Sequence, residues 1–215
     1  MISATSTIER ALVRAASVLL LLLCGFTPTL ADDPFTHGEA DACFNCHAAN
    51  PASFYAPRFP PPKIAGQEPE YLAKAINDYR TDARSQYLMN SPATDISADD
   101  IGSLTAYLSS ISAAQLPSWD APVLDPDAVA RGAALAVAHD CASCHPPALG
   151  SGAPGTPTLN GQYQAYFIKA VGDYRLGMRQ NATMYDAISM LSDDEVADIA
   201  AFYASLSGLH PSARD

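Results

Sequence analysis

Four cysteines fall into two identical frames, Cys43-Phe44-Asn45-Cys46-His47 and Cys141-Ala142-Ser143-Cys144-His145. C-x-x-C-H is the attachment motif of c-type haem: two thiols add across the haem vinyl groups, and the adjacent imidazole is carried under the iron as its proximal ligand. The spacing matters because both thioethers and the imidazole must reach one porphyrin from a single helical turn. Cys43, Cys46, Cys141 and Cys144 are therefore expected to hold two covalently bound haem c groups, with His47 and His145 as axial ligands of the irons. A structural zinc site would set its two knuckles ~15–20 residues apart. Here 94 residues lie between Cys46 and Cys141. A thioredoxin-like redox pair would need alternating strand and helix, and the chain has no such pattern.

The fifth cysteine, Cys24, belongs to a leader. Arg10 and Arg14 form a positive region, Ser17 to Phe26 an apolar stretch with five consecutive leucines, and Thr29-Leu30-Ala31 a small-residue cleavage site. Residues 1–31 read as a secretory signal peptide, which implies the periplasm. As a retained anchor the segment falls short: 17 residues separate Arg14 from Asp32 and Pro28 interrupts them, against the ~20 that a span needs. Of the 215 residues, 184 then remain, with 10 basic and 22 acidic side chains and a formal charge of -12. The whole chain is 48% hydrophobic and 16% charged, which excludes a wholly disordered protein. The acidic balance argues against a nucleic-acid partner, which would require a basic face for phosphates.

Two haem motifs in one chain suggest duplication. A shift of 95 residues places Pro62 on Pro157, Gly66-Gln67 on Gly161-Gln162, Tyr71 on Tyr166, and Asp78-Tyr79-Arg80 on Asp173-Tyr174-Arg175. The match continues with Arg84 on Arg179, Met89 on Met184, and Ser97 on Ser192. Two homologous halves follow, 32–112 and 127–209. The proline-bearing segment 113–126 reads as a linker and 210–215 as a C-terminal tail.

Each half reads as small and all-α. Glu68-Pro69-Glu70 opens a helix with proline at an early position, and Tyr71, Ala75, Ile76 and Tyr79 recur at helical spacing. Its counterpart spans about Gln162 to Arg175, with Gly177 near its end. Closing helices are expected to start at Ser97 and Ser192, the latter heading a capping box with Glu195. A further helix is expected from Asp127 to His139. Such small cores leave apolar surface for a buried haem to complete.

A sixth iron ligand is required next. Among the methionines only Met89 and Met184 coincide under the repeat, 42 and 39 residues beyond their histidines, and they are the expected axial partners. A neutral thioether favours ferrous iron and raises the potential, as suits an electron carrier. Met178 and Met190 are nearby competitors without repeat counterparts. His37, His139 and His210 leave bis-histidine ligation open, but none of them recurs either. The Pro62 and Pro157 carbonyls are expected to accept the Nδ1 proton of each proximal imidazole and orient the ring. Tyr79, Arg80, Tyr174 and Arg175 are expected to meet haem propionates.

The two C-x-x-C-H motifs, the P-x-[IL]-x-G-Q segments followed by Tyr71 and Tyr166, the Tyr-Arg pairs, the single repeated methionine and the Ser-headed last helix resemble the two-haem cytochrome c4 family. The resemblance covers nearly the whole chain after the leader. It implies two tandem class I cytochrome c domains about a pseudo-two-fold axis, ligand pairs His47 with Met89 and His145 with Met184, and electron transfer in the periplasm, soluble or loosely membrane-associated. The chain departs from the pattern in the proline-rich stretch after His47 and in Asp82, which stands where Gly177 stands in the second half.

Three function classes are distinguished. The leading one is a carrier with no substrate chemistry, passing single electrons from a cytochrome bc complex or dehydrogenase to a terminal oxidase or reductase. A second is a dihaem subunit of a dehydrogenase, such as a flavocytochrome that oxidises sulfide. A third is a haem enzyme, a peroxidase or a thiosulfate-oxidising cytochrome, but peroxide chemistry needs an open iron position and both halves offer a methionine. The acidic surface implies redox partners with basic docking faces.

Overall fold

The computed structural model describes residues 37–47, 61–111, 123–148 and 152–209. The expected leader, most of the expected linker and the expected C-terminal tail lie outside them. In the first half α1 spans His37–His47, α2 Pro69–Arg80, α3 Tyr87–Asp95 and α4 Ile101–Ser110. In the second, α5 spans Pro126–Ala138, α6 Gln164–Arg175, α7 Ala182–Ile188 and α8 Asp193–Ser205, with a 3-10 turn at Cys141–Ser143. Among the described residues there is no strand; an isolated antiparallel bridge joins Arg84 to Arg179.

Local chemistry explains the helix ends. Glu68 caps α2, its carboxylate accepting from the Glu70 and Tyr71 amides, with Pro69 in the first turn where a missing N–H costs nothing. Ser192 and Glu195 form the full capping box of α8. The equivalent helix α4 begins later than its serine suggests. Ser97 bonds to Asp100 through both the Asp100 amide and carboxylate, so residues 97–100 make a separate turn and the helix starts at Ile101. Competition of this kind between a serine side chain and the helical backbone is general.

The turn after α2 shows what the departure at Asp82 requires. Gly177 takes a left-handed φ of 71°, and Asp82 takes 58° at the same place. Aspartate is among the few non-glycine residues that tolerate this region, at a cost of ~1–2 kcal/mol. Asn90 holds the turn, its Nδ2 donating to Tyr79 O at 2.7 Å, to Asp82 Oδ1 at 3.2 Å and to Arg84 O at 3.2 Å.

Each half has its own core. Leu72, Ile76 and Tyr79 of α2 pack with Ile101, Leu104 and Leu108 of α4 in the first. Val171 and Tyr174 of α6 pack with Val196, Ile199 and Tyr203 of α8 in the second. Helices α5 and α8 cross so closely at Gly132 that a Cβ there would stand 1.9 Å from Asp198 O.

The halves meet through reciprocal bonds. Gln67 donates to Thr158 O at 3.0 Å and accepts from Thr158 N at 2.8 Å. Gln162 donates to Lys63 O at 3.0 Å and accepts from Lys63 N at 3.0 Å. Lys63 corresponds to Thr158 under the 95-residue shift, so this is one contact made twice. The loops repeat the pattern: Ser85 N donates to Met178 O and Gln180 N to Ala83 O. Such self-complementary pairing is the signature of a two-fold contact.

Candidate haem-binding site

Both C-x-x-C-H motifs open onto one cavity of about 810 Å³ that extends across the junction of the halves. Cys43 and Cys46 reach it from the end of α1, and Cys144 from the turn that follows α5. In both motifs the first thiol is half-buried and the second exposed. Burial pushes the Cys43 and Cys141 thiols above their ordinary pKa. Cys141 packs against the second core and does not line the cavity.

The imidazoles share one geometry. His47 Nδ1 lies 2.7 Å from Pro62 O and His145 Nδ1 2.8 Å from Pro157 O. A carbonyl only accepts, so Nδ1 carries the proton in each ring and Nε2 is left with its lone pair. Burial pushes both pKa values down, which keeps the rings neutral. His145 Nε2 is buried without a hydrogen-bond partner. An orphaned buried acceptor is rare in folded proteins, and a metal ion is one group that would satisfy it.

Met89 and Met184 line the same cavity, each in the first turn of its helix. Gln86 and Asn181 cap those helices, Asn181 Oδ1 accepting from Met184 N at 3.0 Å. Met178 and Met190 are 44% and 89% exposed and take no part in the lining. His139 is exposed as well, while the side chains of His37 and His210 lie outside the described residues.

Tyr79 and Tyr174 are buried against the cavity; Arg80 and Arg175 are not among its lining residues. Arg80 Nη1 donates to Ile96 O at 2.6 Å. Arg175 donates to Asp193 Oδ1 at 2.8 Å and to the carbonyls of Ile188 and Leu191. These two arginines fasten the segment between the methionine helix and the last helix, away from the cavity where propionates would lie.

The arginines that do face the cavity are Arg84 and Arg179, 5% and 8% exposed. Arg84 lies over the Tyr79 ring and donates across the junction to Tyr166 Oη at 2.6 Å. Arg179 lies over Tyr174 and donates to Tyr71 Oη at 2.8 Å. Burial works against both guanidinium charges, but the surrounding phenols outweigh it. Burial likewise raises the Tyr71 phenol, yet Arg179 and Arg84 outweigh that and bring it down to about 8. No carboxylate ion pair is formed by either buried arginine among the described residues. Uncompensated buried charge is costly, so the site is built for anions. The sequence carries a signal for this pair, since Arg84 and Arg179 recur under the 95-residue shift just as the neighbouring Tyr-Arg dipeptides do.

The residues fit two haem c groups: paired thiols, neutral imidazoles with oriented lone pairs, thioethers, apolar walls, and buried cations for the propionates.

Comparison with known proteins agrees. The Cytochrome c family model matches residues 129–207. Cytochrome c4 of Pseudomonas aeruginosa is 32% identical over 207 residues, covering 90% of this chain and 97% of that protein. A thiosulfate dehydrogenase electron acceptor of Stutzerimonas stutzeri is 31% identical over 187 residues, covering 80% and 84%. The structure of reduced recombinant cytochrome c4 from Pseudomonas stutzeri superposes with a TM-score of 0.64 at 25% identity, covering 79% of this chain and 95% of that one.

Proposed function

We propose, given that this chain belongs to the cytochrome c4 family, that it carries single electrons between respiratory donors and a terminal acceptor in the periplasm. The protein is an electron-transfer cytochrome with two covalently bound haem c groups and redox partners. When bound, each group supplies a one-electron ferric/ferrous couple. The rest falls to the chain. Cys43 with Cys46 and Cys141 with Cys144 tether the groups as thioethers. His47 and His145 would hold iron through Nε2, oriented by the Pro62 and Pro157 carbonyls, with Met89 and Met184 as the second protein ligand of each. Tyr79, Tyr174, Arg84 and Arg179 receive propionates, whereas Arg80 and Arg175 brace the methionine-bearing segments.

The observation that carries this reading is the placement of each histidine and its repeated methionine on one cavity. An iron held by a histidine and a methionine of the chain would have no open position for substrate, which is why a carrier is favoured over a peroxidase or other enzyme. The domain bounds follow the repeat: 32–112 and 127–209, with 1–31 as the export signal. No helix among the described residues is long and apolar enough to cross a membrane.

Redox titration with visible spectroscopy of the holoprotein tests the ligation. Met89→Ala and Met184→Ala are each expected to abolish the long-wavelength methionine-to-iron band of one haem and lower one midpoint potential. Retention of the full band in both variants overturns the assignment.

The likeness to a thiosulfate dehydrogenase electron acceptor favours a second reading, in which the donor is a dehydrogenase. Co-purification of the holoprotein in a fixed ratio with such an enzyme would select it over a freely diffusing carrier.

A further inference from the structure

The two halves are not equivalent behind their proximal histidines. Tyr203, 1% exposed in α8, donates its hydroxyl to the backbone carbonyl of His145 at 3.0 Å. Its ring stacks on Phe167 with centroids 6.0 Å apart and tilts against Phe202 at 5.1 Å. Burial holds the phenol pKa above its ordinary value, so the donor proton is kept. The residue at the same place in the first half is Leu108, 2% exposed, which has no donor.

A second substitution accompanies the first. Asn160, wholly buried, donates Nδ2 to Pro147 O at 2.6 Å, two residues beyond His145. Ala65 stands at that place in the first half. The Asn160 turn is itself held to the end of the chain by Leu209 N, which donates to Asn160 O at 2.9 Å, and to α8 by Gly161 N, which donates to Tyr203 O at 2.8 Å as Gly66 N does to Leu108 O at 3.0 Å in the first half. The stretch Cys141–Pro147 is thus bonded at its backbone from α8 and from the Asn160 turn, in addition to the Nδ1 bond of His145 to Pro157.

We propose that Tyr203 is a positioning residue of the second haem site, fixing the His145 backbone so that its ring is held from both ends, a restraint that Leu108 does not provide in the first half. The proposal rests on the reading of His145 as an iron ligand. His145 sits just past the 3-10 turn, its amide donating to Cys141 O at 2.9 Å. The bond at its own carbonyl ties that turn to α8 and narrows the range of Nε2 positions. His47 is carried differently, as the last residue of α1.

Tyr203→Phe removes one hydroxyl and keeps the ring packing, so the holoprotein folds and attaches both haems. Two readouts follow on the oxidised variant: cyanide displacement of the sixth ligand, resolved into its two phases, and the low-spin ferric resonance spectrum. One phase should accelerate about fivefold, corresponding to the loss of one hydrogen bond. The resonance of one haem should change while the other phase and resonance stay as in the parent. Unchanged kinetics and spectrum, or equal changes at both haems, overturn the proposal. His145→Ala, measured in parallel, separates it from the reading beneath it. Loss of one low-spin signal in that variant upholds the ligation whatever Tyr203→Phe shows, and retention of both removes the ligation and the proposal together.

Discussion

Arg84 and Arg179, 95 positions apart, are joined to each other by an antiparallel bridge, so a residue is paired with its own repeat counterpart at the centre of the junction. Each sends its guanidinium to a tyrosine of the opposite half while covering a tyrosine of its own. Like charges come together there only because phenols solvate them and the cavity beside them accepts anions. The junction and the cofactor site are consequently one structure.

Replacement of either arginine should be felt by the whole molecule. Arg84→Met or Arg179→Met removes a buried charge-assisted bond worth about 2 kcal/mol, which corresponds to a melting point about 4–8 °C lower for a protein of this size. Thermal unfolding of the holoprotein measures it. The double variant should cost more than the sum of the singles, because each single variant already relieves the repulsion between the two charges, whereas the double variant relieves it only once.

Gly132→Ala should be among the most damaging single substitutions in the second half. A Cβ 1.9 Å from Asp198 O cannot be accommodated without separating α5 from α8. A loss of about 3 kcal/mol is expected, read as lowered thermal stability. Gly102→Ala in α4, where a Cβ meets nothing within 4 Å, should be neutral or slightly stabilising.

Much of this architecture was legible in the sequence, for identifiable reasons. The haem motifs are set by short-range spacing, and Pro62 with Pro157 and Met89 with Met184 stand out because they recur at a fixed shift of 95 residues, which a linear reading captures. The capping box at Ser192 is equally local. The roles of Arg80 and Arg84 were not legible, since both recur and only the path of the turn around Asp82 decides which one faces inward. The same holds for Ser97, whose bonds to Asp100 compete with helix initiation, and for Gly132, whose meaning depends on a helix 66 residues away.

Lys63 provides a pH test. Its ammonium reaches across the junction to the Gly161 carbonyl and lies 4.6 Å from the centre of the Tyr163 ring. Burial lowers its pKa to about 8, against ~10.4 for an exposed lysine. Between those values the unfolded chain binds more protons than the folded one, so the contribution of Lys63 to stability rises with pH. The parent should therefore gain on Lys63→Met by a few degrees in melting temperature from about pH 8 to about pH 10. A constant difference across that range would show that Lys63 does not titrate there.

Docking should depend on salt. With a formal charge of -11, association with a basic redox partner should slow several-fold as ionic strength rises from about 0.01 to about 0.15 M, because screening shortens from ~30 to ~8 Å. Stopped-flow electron transfer over a salt series measures this, and a flat profile would point to an uncharged contact.

The reciprocal glutamines carry a consequence for how this molecule can vary. In a dimer of identical subunits every substitution is imposed on both sides of the contact at once. Here one chain supplies both sides, so Gln67 and Gln162 keep the shared bonds while neighbouring positions are released from symmetry. Lys63 can differ from Thr158, Asp82 from Gly177 and Leu108 from Tyr203, each altering one face alone. Fusion thereby turns a symmetric contact into a frame on which two similar redox centres can acquire different characters.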